Sequence, residues 1–124
     1  ATLASPSMAI ELPGATRADL ARALQYYLGD HDRRDPLVSP IHAKDHRGLP
    51  PAFIVTAGVD PLRDDGPRYA DCLRAAKVKV RYVDYPDMPH GFLSQPKLCP
   101  GAPDALAEIV EEMRPYLQRS ASAA

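Results

Sequence analysis

The residues of this chain most open to a chemical reading are Asp60 and His90. Each stands just past a short apolar run. Asp60 lies in Gly58-Val59-Asp60-Pro61-Leu62-Arg63-Asp64-Asp65-Gly66 and His90 in Asp87-Met88-Pro89-His90-Gly91-Phe92. A carboxylate beyond the end of one strand can fix the tautomer of an imidazole beyond the next, and that imidazole can then serve as general base toward a serine. Asp60 and His90 therefore read as the acid and base of a Ser-His-Asp hydrolytic triad. The nucleophile has no counterpart in the 124 residues. No Gly-x-Ser-x-Gly elbow and no His-Gly-Gly-Gly oxyanion loop occurs, and Ser5, Ser7, Ser39 and Ser94 have no elbow around them. Each member also has a bland reading. Asp before Pro starts turns, Asp-Asp-Gly-Pro is good helix-entry chemistry, and Pro-His-Gly suits a surface turn. The order of the two on one scaffold favours the catalytic reading.

That scaffold is α/β. Ala52-Phe53-Ile54-Val55-Thr56-Ala57 is nearly all apolar between Pro51 and Gly58, as expected of a strand covered on both faces. Gly66-Pro67 opens a helix with Tyr69, Cys72, Leu73 and Ala76 on one face. Lys79 to Tyr85 alternates, as a strand near a sheet edge does. Strand, helix and strand make a βαβ crossover. If the strands pair, Asp60 and His90 leave the same carboxyl-end rim about one strand spacing apart, roughly 5 Å. Upstream, Ala1 to Pro6 reads as the tail of a third strand, stopped by Pro6. Thr16-Arg17-Ala18-Asp19 fits a capping box, opening a helix over 16–28 with Gly29 as its stop. Residues 30–51 read as a long polar connection. Pro103 opens a last helix carrying Leu106, Ile109, Val110, Met113 and Leu117, and the Ser-Ala-Ser-Ala-Ala end is expected to fray.

Composition narrows the function classes. Lys/Arg 15 against Asp/Glu 16, dispersed along the chain, favours neither nucleic acid nor an anionic membrane. Cys72 and Cys99 are too few for a disulfide framework and lack metal spacing; a core thiol is expected at Cys72. His42 and His46 are spaced i, i+4 with His31 upstream, but Pro40 and Gly48 make the segment a loop, so a solvated polar loop is expected there and no metal site. Phosphate-loop and dinucleotide fingerprints are absent. No signal-like start or transmembrane run is seen, so a cytoplasmic setting is the default expectation.

Ser39-Pro40-Ile41, Gly48-Leu49-Pro50-Pro51-Ala52, Asp60-Pro61-Leu62-Arg63-Asp64-Asp65-Gly66, Tyr69-Ala70, Leu73-Arg74-Ala75-Ala76 and Met88-Pro89-His90-Gly91-Phe92 follow one another in one order. As a set they resemble the C-terminal portion of the hormone-sensitive-lipase-like α/β-hydrolases, which are carboxylesterases and lipases. The resemblance implies a partial α/β-hydrolase domain over 1–124. Residues 7–48 would hold a cap-related helix and connection, and 49–117 a C-terminal βαβα unit, with about three parallel strands in all. It implies Asp60 as triad acid, His90 as triad base, a small acyl ester as substrate and no cofactor. Met88 would line the acyl pocket in that setting; a space-filling methionine is the plainer description. Lys77 stands where the family usually has glycine, which would strain the backbone if that site needs positive φ. Three strands would leave an apolar edge bare, so the missing N-terminal half or a second copy of the chain is the expected partner. The alternative is a non-catalytic interaction module derived from this fold.

Overall fold

The computed structural model describes residues 2–121. Thr16 caps helix α1 (Arg17–Leu28): its hydroxyl accepts from the Asp19 amide while the Asp19 carboxylate reaches back to the Thr16 amide, and Gly29 ends the helix at φ 55°. Leu20, Ala23, Leu24, Tyr27 and Leu28 share one face of α1, but the described residues cover little of it. Leu28 is buried, whereas Tyr27 is 85% exposed.

Residues 30–51 form an ordered connection without a long element. Asp32, Asp35 and Asp45 each accept the amide two residues on, so the segment satisfies its own backbone locally. A 3-10 turn, Pro40–His42, interrupts it. His46 ties the segment down through a 3.0 Å hydrogen bond to the Pro40 carbonyl and an edge contact with Tyr69. His46 thus has a structural task.

Strand β1 (Ala52–Val59), helix α2 (Asp65–Ala75) and strand β2 (Val80–Pro89) form the βαβ unit, with β1 and β2 parallel and Ala52 opposite Val80. Two corrections to the sequence reading concern the strands. The third strand expected at residues 1–6 does not form in the described part: Thr2–Ala4 and Pro6–Ala9 are 3-10 turns, and the sheet has two strands among the described residues. Pro6 presets φ for the turn, and Ser7 and Met8 gain burial by packing the turn inward. Second, β2 runs to Pro89 instead of ending at Tyr85. Prolines read as strand stops because they lack a donor, but an edge strand has an open side on which no donor is required.

The two sheet faces are covered differently. On one, Gly66 of α2 lies so close that a Cβ would overlap the Thr56 methyl, and Thr56 bonds Tyr82 and Asp84 across the strands. On the other lies helix α3 (Ala102–Ala121), whose Ala102 and Ala105 join Ala57, Phe92 and Cys99 in a buried cluster. Met88 packs against this cluster beside Gly101, so it fills space under α3. Cys72 is half-buried on α2 and Cys99 is buried; both are free thiols. The fraying expected at the end of the chain concerns in part residues 122–124, outside the described residues. Among the described residues no helix is long and apolar enough to cross a membrane.

Two predictions follow from local strain and local charge. Helix α2 closes with the Val78 amide bonded to the Leu73 carbonyl, which places Lys77 at φ 63°. A side chain in that region costs about 1 kcal/mol relative to glycine. Lys77→Gly should therefore raise unfolding stability by about 1 kcal/mol in a denaturant titration; an unchanged or lower midpoint would contradict the assignment.

At the α3 contact, the Tyr85 hydroxyl donates to Glu108 Oε2 at 2.6 Å, while Arg81 bridges Glu108 and Glu112 and stacks over Phe53. Desolvation first, then the Glu108 carboxylate, push the Tyr85 phenol up to about 12 from 10.0. The folded state thus holds the proton that the unfolded state releases first. The contribution is complete below pH 10 and is lost as pH rises toward 12. Tyr85→Phe should flatten that alkaline decline, read as unfolding free energy against pH.

Candidate active site

The site lies where β1 and β2 end. Gly58 permits it: a Cβ there would overlap the backbone carbonyl of Pro86, so only glycine lets β2 bulge against β1 at this point. Ala57 pairs with Tyr85, and the next pair is Val59 with Pro89. The ladder then carries on into the site, with the His90 amide donating to the Val59 carbonyl at 3.1 Å. Asp60 and His90 are thereby adjacent in space.

His90 Nδ1 lies 2.8 Å from Asp60 Oδ2. A carboxylate accepts, so Nδ1 is the donor and Nε2 is left as the basic nitrogen. The other carboxylate oxygen, Oδ1, accepts the Leu62 amide at 2.8 Å, the turn that an Asp-Pro pair favours. Asp60 thus has both oxygens engaged and its side chain only 13% exposed, while the His90 side chain is 49% exposed. A held carboxylate behind an accessible imidazole can orient a base and stabilise its charged form during proton transfer.

The serines are elsewhere. Ser94 Oγ bonds the Gly91 carbonyl, and Ser7 Oγ bonds the Pro61 carbonyl. Among the described residues, none reaches His90 Nε2. His31, His42 and His46 are not drawn into a cluster: among the described residues no three His, Cys, Asp or Glu side chains come together as a metal site.

A cleft of about 750 Å³ lies beside the Asp60 turn, walled by Leu20, Leu24 and Tyr27 of α1 and by Ile54, Leu62 and Tyr69. Neither Asp60 nor His90 lines it; Leu62 is its link to the turn. Sequence reasoning missed the groups that hold the turn from behind. The Ser7 amide donates to Asp64 Oδ2 at 2.8 Å, and this backbone bond, ahead of the Ser7 hydroxyl and Arg63, holds the Asp64 carboxyl below its ordinary value. Nothing in Ser-Pro-Ser-Met signals a partner more than fifty positions away.

Comparison with known proteins agrees with this architecture. The family described as alpha/beta hydrolase fold matches residues 2–94. The carboxylic ester hydrolase LipN of Mycobacterium tuberculosis is 40% identical over 108 residues, covering 84% of this chain and 28% of that protein. The hormone-sensitive lipase of Ictidomys tridecemlineatus is 39% identical over 83 residues, covering 65% of this chain and 11% of that protein. The crystal structure of a hormone-sensitive lipase from a metagenome library superposes with a TM-score of 0.84 at 32% identity, covering 91% of this chain and 40% of that one. The chain spans less than a third of the length of these curated relatives. With a parallel pair of strands, an Asp–imidazole contact at their rim and these relatives, the chain belongs to the hormone-sensitive-lipase-like alpha/beta hydrolases.

Proposed function

We propose that this chain is the acid–base portion of a serine carboxylester hydrolase, with the nucleophile and oxyanion hole supplied by a segment outside these 124 residues. The observation that carries the reading is the 2.8 Å contact between His90 Nδ1 and a half-buried Asp60 carboxylate with both oxygens hydrogen-bonded. In the intact enzyme His90 Nε2 takes the proton from the serine hydroxyl as it attacks the ester carbonyl. His90 then gives that proton to the leaving alcohol, and the same nitrogen activates water to release the acid. Asp60 keeps the ring oriented and its charged form stabilised. The apolar cleft under α1 supports a small acyl ester as substrate and α1 as part of its cover.

Sheet chemistry supports the remainder of the fold as partner. The outer edge of β1 has no proline between Ala52 and Val59, whereas β2 carries Pro86 and Pro89. A further strand therefore adds to β1 rather than β2. The stripe of Leu106, Val110, Met113 and Leu117 on α3, each 46–63% exposed, is apolar surface of the kind that a larger domain covers.

The test is hydrolysis of p-nitrophenyl butyrate with and without the upstream segment. The 124 residues alone should show no turnover above background, and the intact protein should turn over and label with a fluorophosphonate. Turnover by the isolated chain, or an intact protein inert to both reagents, would refute the proposal; the latter result with a stable complex would favour the interaction module.

A further inference from the structure

Ser7 is the buried polar side chain among the described residues, at 2% exposure, and it makes three hydrogen bonds to one short segment. Its hydroxyl donates to the Pro61 carbonyl at 2.7 Å. Its amide donates to Asp64 Oδ2 at 2.8 Å, and its oxygen lies 3.4 Å from the Asp64 amide as acceptor. The partners flank Leu62, whose own amide holds Asp60 Oδ1. Bonds within the segment close the turn as well: Arg63 amide to Asp60 carbonyl, Asp65 amide to Leu62 carbonyl and Gly66 amide to Arg63 carbonyl, each 3.1 Å, with Arg63 Nη1 reaching the Gly58 carbonyl at 3.5 Å. Local bonds of this kind fix the shape of a turn without fixing where it sits on the protein. Ser7 fixes the place, because Pro61 beneath it is fully buried.

We infer that Ser7 is a positioning residue for the triad: by clamping Pro61 and Asp64 it holds the turn that aims the Asp60 carboxylate at His90. The chain of contacts is Ser7 to Pro61 and Asp64, the turn to Asp60 through the Leu62 amide, and Asp60 to His90. An unmade bond at a buried carbonyl leaves that group unsatisfied, so the turn relaxes outward when the hydroxyl is removed. A shift of about 1 Å in a catalytic group is enough to lower turnover about 100-fold. The kinetic side of this inference rests on the hydrolase reading above; the spectroscopic side does not.

The experiment compares Ser7→Ala, Ser7→Thr and Arg81→Ala in the intact protein. Ser7→Ala should lower kcat on p-nitrophenyl butyrate about 10-fold to 100-fold while KM changes less than about threefold. Ser7→Thr, which keeps the hydroxyl, should recover most of that loss. Arg81→Ala loosens α3 on the far side of the sheet and should lower Tm without lowering kcat. In parallel, the low-field proton resonance of His90 Nδ1–H should shift or broaden in Ser7→Ala and persist in the other two. Should Ser7→Ala fail to fold, Asp64→Ala removes one partner of the clamp and is read in the same way. Unchanged kcat and an unchanged resonance in Ser7→Ala would overturn the inference, as would equal kcat losses in Ser7→Ala and Arg81→Ala. If the wild-type protein hydrolyses no ester, the hydrolase reading fails while the resonance still decides the role of Ser7.

Discussion

If the proposed function holds, replacing His90 by alanine in the intact protein is expected to lower kcat by on the order of 10⁴ to 10⁶ with a much smaller change in KM. The ring is half-exposed, so its loss opens no core cavity and unfolding stability should barely move. On the proposed function, what disappears is the base that takes the serine proton and returns it to the leaving group. Asp60→Asn is expected to cost about 10⁴ by a different route. Asparagine keeps the size, and its oxygen can still take the Leu62 amide. The NH2 then faces His90 Nδ1 as a donor, where a donor already stands. The ring must turn or adopt the other tautomer, and Nε2 ceases to be basic. Steady-state kinetics on p-nitrophenyl butyrate, together with fluorophosphonate labelling rates, check both. If either variant keeps more than about a tenth of wild-type kcat, the pair has been assigned the wrong task.

Gly58→Ala is expected to damage stability and turnover together. A Cβ at this position would overlap the carbonyl oxygen and Cα of Pro86, both backbone atoms, and so no side-chain rotation can relieve it. β2 must withdraw, which breaks the ladder that continues through Val59 and Pro89 to the His90 amide. Overpacking against backbone is expected to remove about 3 kcal/mol of unfolding free energy, and the displaced imidazole to lose at least about 100-fold in kcat. A chemical denaturation curve and a kcat measurement on the same sample check the coupling. Wild-type values for both would mean that the strand ends are not held by the close approach. Ala57→Gly, one residue earlier in the buried cluster, provides the contrast, since it should lower stability without a clash and without moving His90.

The features legible in the sequence are those whose causes lie within a few positions. The Thr16–Asp19 capping box, the stop at Gly29, the nearly all-apolar run of β1 and the Asp60-Pro61 turn each depend on neighbours, and each forms, with β1 continuing past the expected end at Ala57 to Val59. The resemblance carried the family for the same reason, since its motifs are short runs in fixed order. The third strand expected at residues 1–6 does not form among the described residues because a strand needs a partner, and so short a run states no preference strong enough to replace one. β2 was read too short because Pro86 and Pro89 look like stops until the open side of an edge strand is known.

By itself the sequence determined the kinds of chemical groups present, the α/β order of elements and the rim on which Asp60 and His90 emerge. Only the tertiary structure decided that the two side chains meet at 2.8 Å, that Gly58 is where the strands close in, and that Ser7 holds the turn from behind. The reason is physical. Contacts between residues far apart in the chain are set by which surfaces exclude water together and which buried polar groups find partners, and neither is written in any short stretch of residues.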